Sequence, residues 1–149
     1  MPPLRTTASL ASLTWRALRE RLCAPVPALA VDLFRVLVGL VSLGYCARLL
    51  IDVPVFWAPR GLVDHAASRA AFWFTAQPLF WPGMSAAAIT AILSCACALA
   101  LAIALGLRPR LAAAALYLIV VCGYRFNFLL LYVDDMVIHL LLFWVVLMP

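Results

Sequence analysis

A chain of 149 residues with 68% hydrophobic and only 11% charged side chains cannot clothe itself for water, since soluble domains carry roughly 25% charged residues. Its net charge of +5 comes from arginine alone, for the sequence holds no lysine, and no soluble basic domain exists to carry nucleic-acid binding. In so apolar a chain a basic balance reports orientation and anionic lipid headgroups instead.

In chain order, residues 1–27 come first: polar, basic and proline-bearing. Within them, 13–22 places Leu13, Leu18 and Leu22 near one face with arginines elsewhere, the pattern of a short amphipathic helix on a membrane surface. The apolar stretch that follows is long and lacks a small-residue cleavage pattern, so it is expected to be a retained span rather than a signal peptide. That first span is read over 28–51. Asp32 and Arg35 lie three apart near its start, Arg48 and Asp52 four apart near its end, spacings at which opposite charges meet on a helix. Arg35, Gly39, Ser42 and Cys46 share the face expected to turn inward.

Residues 52–83 form the longest connection, with four prolines and with Trp57, Phe72, Trp73, Phe74, Phe80 and Trp81. Aromatics of this kind gather at the membrane–water boundary, and a short helix lying in that interface is expected over 61–76. The second span, 84–107, is an uninterrupted uncharged run, and about 20 such residues cross the hydrocarbon as a helix. Its steps of four give Ala86, Thr90, Ser94, Ala98, Ala102 and Gly106, all small, a stripe that lets another helix backbone approach closely.

The basic turn Gly106-Leu107-Arg108-Pro109-Arg110 leads into a third span over 111–124, which Arg125, Phe126 and Asn127 are expected to interrupt. A fourth, short span starts at Asp134 or Asp135, acceptable helix-start residues, and runs to Pro149. The arginines decide orientation: six on the side of the N-terminus and the basic turn, against Arg60, Arg69 and Arg125 on the other. The positive-inside rule then puts both termini in the cytoplasm. The fold class expected is all-α: a polytopic transmembrane four-helix bundle (28–149) with an N-terminal amphipathic segment (1–27) and an interfacial aromatic loop.

Four of the five cysteines fall in apolar segments, where a thiol behaves as a small hydrophobe. Cys95 and Cys97 point apart on a helix, and neither histidine stands at zinc-site spacing from a cysteine pair. No glycine-rich phosphate loop, nucleophile elbow or HExxH occurs. The constellation that carries chemistry is Arg125, Asn127, Asp134, Asp135 and His139. Asp135 and His139 share a helix face, so the carboxylate can orient the imidazole as in an acid/base pair, and ionisable groups at membrane depth are functional candidates. The alternative is structural: both aspartates sit at the water boundary, capping the fourth span, with Arg125 as their partner. His139 likewise has three readings, a hydrogen bond to a neighbouring helix, acid or base, or axial ligand of a tetrapyrrole. Asp64, His65 and Arg69 form either a headgroup contact or a solvated loop.

Asp32-Leu-Phe-Arg35-Val-Leu-Val-Gly39 resembles the first-span signature of the HTTM proteins, bacterial relatives of vitamin K-dependent gamma-carboxylase. Trp57-Ala-Pro-Arg-Gly61-Leu-Val is similar to their following loop, and Leu105 to Leu111 to their basic turn. Tyr124-Arg125-Phe-Asn127, Asp134-Asp135 and Leu142-Phe143-Trp144 to Pro149 resemble their next loop and span. The resemblance covers 31–149 and only the front part of such a domain; the four-span DoxX group, with quinone-linked oxidoreductase subunits, has a similar first-span pattern. It implies a bacterial inner-membrane location. Family carboxylases use a lysine base that this chain lacks, and arginine stays protonated, so carboxylation is not expected.

The function expected from these readings is that of a non-catalytic accessory or scaffold subunit, with membrane lipids and other membrane subunits as partners. The alternatives are a quinone- or lipid-handling membrane enzyme or subunit using Asp135–His139, with a quinone or tetrapyrrole bound, and a peptide-maturation helper of the HTTM kind.

Overall fold

A computed structural model describes residues 28–57, 61–62, 79–81, 83–126 and 133–148. The expected amphipathic segment, the interfacial helix over 61–76, the Asp64/His65/Arg69 group and Asn127 lie outside or almost wholly outside these residues. The chain divides into two compact units, Met1–Val31 and Asp32–Pro149.

The described residues hold four α-helices: α1 (Ala28–Asp52), prolonged by a π-helical turn (Val53–Trp57), α2 (Ala86–Leu105), α3 (Pro109–Phe126) and α4 (Val133–Leu147). No strand occurs among the described residues. Three boundaries depart from the sequence reading. α1 does not yield to a loop at Asp52: Pro54, which has no N–H to give the ladder, sits in a widened turn, and helical backbone continues to Trp57. α3 runs through Arg125 and Phe126 without interruption, because Phe126 is drawn into the core at 2% exposure. α4 begins at Val133, so Asp134 and Asp135 belong to its first turn rather than preceding it.

The turn between α2 and α3 is built by local chemistry. Ser85 opens α2, its hydroxyl accepting from the Ala88 N–H at 3.2 Å, an N-cap bond. Gly106 closes it in the left-handed region (φ 76°). The Gly106 N–H reaches the Ile103 carbonyl at 3.1 Å and the Leu107 N–H the Ala102 carbonyl at 2.8 Å, the paired bonds of a Schellman stop. Pro109 then starts α3, where a missing N–H costs nothing. Arg110, in the first turn of α3, donates from Nε to the Met148 carbonyl at 2.6 Å. That bond ties the beginning of α3 to the end of α4, so the two helices lie antiparallel.

The interior falls into two clusters. One is built mostly of small and aliphatic residues, among them Val38, Cys46, Ala96, Ala100, Ala113 and Leu116. The other is built around Trp57, Phe80, Met84, Ile89 and Phe126.

Large apolar side chains also face outward. Leu33, Leu37 and Leu40 on α1, Leu101 on α2, Leu118 on α3 and Leu140 on α4 are each between 45% and 59% exposed. Two helices are long and apolar enough to cross a membrane: Leu29–Trp57, with 29 residues at mean hydropathy 1.9, and Ala86–Leu105, with 20 at 2.5. Only 28% of the most apolar window of either is buried, whereas the core helix of a soluble protein is mostly covered. At 1.5 Å rise per residue, α2 extends about 30 Å, the thickness of the hydrocarbon layer. The apolar stretches Pro109–Tyr124 and Asp135–Leu147 are shorter.

Candidate functional site

The small-residue stripe of α2 is outward in its middle, while Ala86 and Ala102 at its ends pack against the core. Thr90, Ser94 and Ala98 are exposed and Ala86, Ala102 and Gly106 half-buried, while Ile89, Leu93, Ala96, Ala100 and Ile103 point inward. The helix meets α1 through a second small series. A Cβ on Gly39 would lie 2.6 Å from the Ala104 backbone nitrogen and 2.8 Å from its Cα, so the two backbones are in contact there. Ser42 and Cys46, each 1% exposed, continue that seam along α1.

At the Gly106 turn stands Arg35, which pairs with Asp32 at 3.1 Å. Its guanidinium lies 3.0–3.3 Å from where a Gly106 Cβ would be, so a cation rests against the carbonyl-rich end of α2, the favourable sign for a helix C-terminus. Arg48, expected to pair with Asp52, instead lies exposed on an open groove between α1 and α4. Val41, Gly44, Tyr45, Arg48, Val137 and Ile138 line that groove, about 410 Å³ in volume.

The chemistry-bearing residues gather at the aromatic end. Trp57, read from sequence as an interfacial loop residue, is 3% exposed. It lies 5.6 Å from Phe80 and 6.1 Å from Phe126, ring centre to ring centre. Phe80 is likewise buried, while Trp81 is 54% exposed. Aromatic contacts at these separations stabilise beyond the area they bury. Gly123 makes room for them: a Cβ there would sit 3.2 Å from Trp57 Cη2.

Beside this cluster, all four helices enclose a small cavity. Tyr45, Cys46, Trp57, Leu93, Tyr124 and Asp135 are among the residues lining it. The space open to the centre of a water molecule is about 20 Å³. Asp135 is 3% exposed, so its side chain does not sit at a water boundary. Starting α4 at Val133 carries it past the cap and into the bundle.

His139, one turn on, keeps its place beside Asp135 and reaches that residue's backbone. Its ring meets Tyr117 and Tyr124 edge-on, at 5.5 and 5.3 Å, and its Nε2 is buried with no hydrogen-bond partner. Asp135 and His139 are therefore brought together, Asp135 toward the cavity and His139 between two tyrosines of α3. Arg125 lies on the last turn of α3 and Asp134 on the first turn of α4; their side chains, like Asn127, are outside the described structure. Among the described residues no group of three or more His, Cys, Asp or Glu could hold a metal ion.

Sequence reasoning missed Trp57, Tyr45 and Gly123 as members of this region. Pro54 ordinarily marks a helix stop, so the local sequence carries no signal for the widened turn that brings Trp57 inward. No protein-family model, curated protein or solved structure matches the chain.

Proposed function

We propose that the chain is a multi-pass protein of the bacterial cytoplasmic membrane, with both termini inside, and that it serves as a non-catalytic accessory subunit of a larger membrane assembly. The observation that carries this reading is the outward face of α2. Thr90, Ser94 and Ala98 form an exposed small-residue face on the most apolar helix among the described residues. Lipid removes the hydrophobic drive between helices, so association there depends on close backbone approach. A small-residue face is the surface that permits it. α3 and α4 complete the bundle as shorter crossings, and the mostly uncovered windows of Leu29–Trp57 and Ala86–Leu105 support lipid contact. On this proposal HTTM-like ancestry accounts for the order of spans and turns.

Co-purification from native membranes tests the reading, with Ala98→Leu as the variant. A leucine there holds the backbones apart, and about a tenfold loss of associated subunits is expected. An unchanged assembly, with the variant still resistant to alkaline extraction from the membrane, removes the accessory role but leaves the membrane location. Release of the native chain by alkaline extraction removes both.

A second reading, a subunit handling a lipid-soluble ligand such as a quinone, is favoured by a separate observation. The open groove on α1 and α4 has the volume of a small-molecule site. It carries Tyr45 and Arg48 among apolar walls, and Tyr45 also borders the cavity that Asp135 faces. Organic extraction and absorbance of the purified protein distinguish the two readings: a stoichiometric quinone or pigment favours this one.

A further inference from the structure

We infer that the four helices enclose a water-binding site, in which a single water molecule accepts a hydrogen bond from Trp57 Nε1–H and donates one to the Asp135 carboxylate. The site goes beyond the accessory role and does not depend on whether lipid or a companion covers the exterior.

Three observations carry this inference. Trp57 is 97% buried, taking its 3% exposure from the whole, and its Nε1 has no hydrogen-bond partner. An indole N–H is a donor only, and leaving one buried and unpaired is costly. Asp135, equally buried at 3% exposure, lines the same cavity, and a carboxyl oxygen accepts hydrogen bonds. The space between the walls is about 20 Å³, above the ~10–15 Å³ that one water requires. It is far too small for an organic ring. The ligand class follows from the match: a molecule of water's size that both accepts and donates.

Water also fits the rest of the lining. Tyr45 and Tyr124 come from α1 and α3, and a buried water takes two to four polar partners. Cys46 adds a weak S–H donor and Gly123 no side chain, and the rest of the wall, Leu49, Leu93, Ala96, Ile119 and Val120, binds nothing polar. The Trp57–Asp135 side is thus the end that holds the water. The water in turn keeps a carboxylate hydrated in a place where direct contact with bulk solvent is closed.

The test is nuclear magnetic resonance on the full chain in lipid nanodiscs, with nitrogen-labelled tryptophan. The Trp57 indole signal is identified by its disappearance in Trp57→Phe. It is expected to show a direct cross-relaxation peak to water, and Asp135→Leu, similar in size but dry, is expected to abolish it. The Trp81 and Trp144 indole signals report whether that variant folds. Where it does not, Asp135→Asn serves, with the peak retained and the indole resonance shifted. Absence of a water peak in the native protein overturns the inference. So does a peak that survives unchanged in folded Asp135→Leu, since the water would not be held by Asp135. An indole shift in Asp135→Asn without any native water peak also overturns it, because it means a direct Trp57–Asp135 bond.

Discussion

The two ends of this bundle are stabilised in opposite ways. Around Gly39, Ser42, Cys46, Ala96 and Ala100 the helices touch through small residues, and stability comes from how near the backbones lie. Around Trp57, Phe80 and Phe126 three large rings pack on one another and fill the space between the elements. The first end fails when something is added, the second when something is taken away. Both solutions rest on dispersion between close-packed atoms, which works in lipid as well as in water.

Substitutions that exchange the two designs test that contrast. Trp57→Ala removes the ring against which Phe80 and Phe126 pack and should cost about 3–5 kcal/mol, read as a large drop in the midpoint of helix loss on heating in detergent. Gly39→Val adds atoms where a Cβ already meets the Ala104 backbone at 2.6 Å, and overpacking of this kind costs roughly 3 kcal/mol when the obstacle is backbone. A milder result at either place removes that end's side of the comparison. Gly106→Ala comes next, at about 1–2 kcal/mol, because an L side chain is strained at positive φ and this one also meets Arg35. The smallest effect has the opposite sign. Gly44 has open space where a Cβ would go, so Gly44→Ala on the same helix as Gly39 should stabilise by roughly 0.5–1 kcal/mol through helix propensity. Equal outcomes at Gly39 and Gly44 would mean that α1 does not approach α2 as described.

How much of this the sequence displays depends on how local its cause is. The turn at Gly106–Arg110 is legible because a left-handed glycine and a proline at the first helical position act over a few residues. The inward face of α1 is legible too, since Gly39, Ser42 and Cys46 recur at helical spacing. The inward face of α2 is not. Ala98 and Ala102 make one small series and Ala96, Ala100 and Ala104 another, and the alanine-rich half of the helix fits both. Ile89 and Leu93, seated in the aromatic cluster, decide between them, and that is a tertiary fact. Trp57 and Asp135 were misplaced for a related reason. Trp57 lies beyond the expected end of the first span and Asp135 at the expected start of the fourth, while helical backbone runs on to Trp57 and already begins at Val133. Pro54 usually marks a stop, and two adjacent aspartates usually mark a cap; here both are overruled by what the side chains meet inside.

Cys95 sits on the uncovered side of α2, next in sequence to Ser94, whereas Cys46 and Cys122 are enclosed. A thiol reacts through its thiolate, a form that hydrocarbon suppresses and water sustains. This one sulfur is therefore a built-in gauge of its surroundings: sluggish toward water-borne alkylating reagents beneath acyl chains, shielded from lipid-soluble ones by a tightly fitted neighbour, and quick toward both if nothing lies over it.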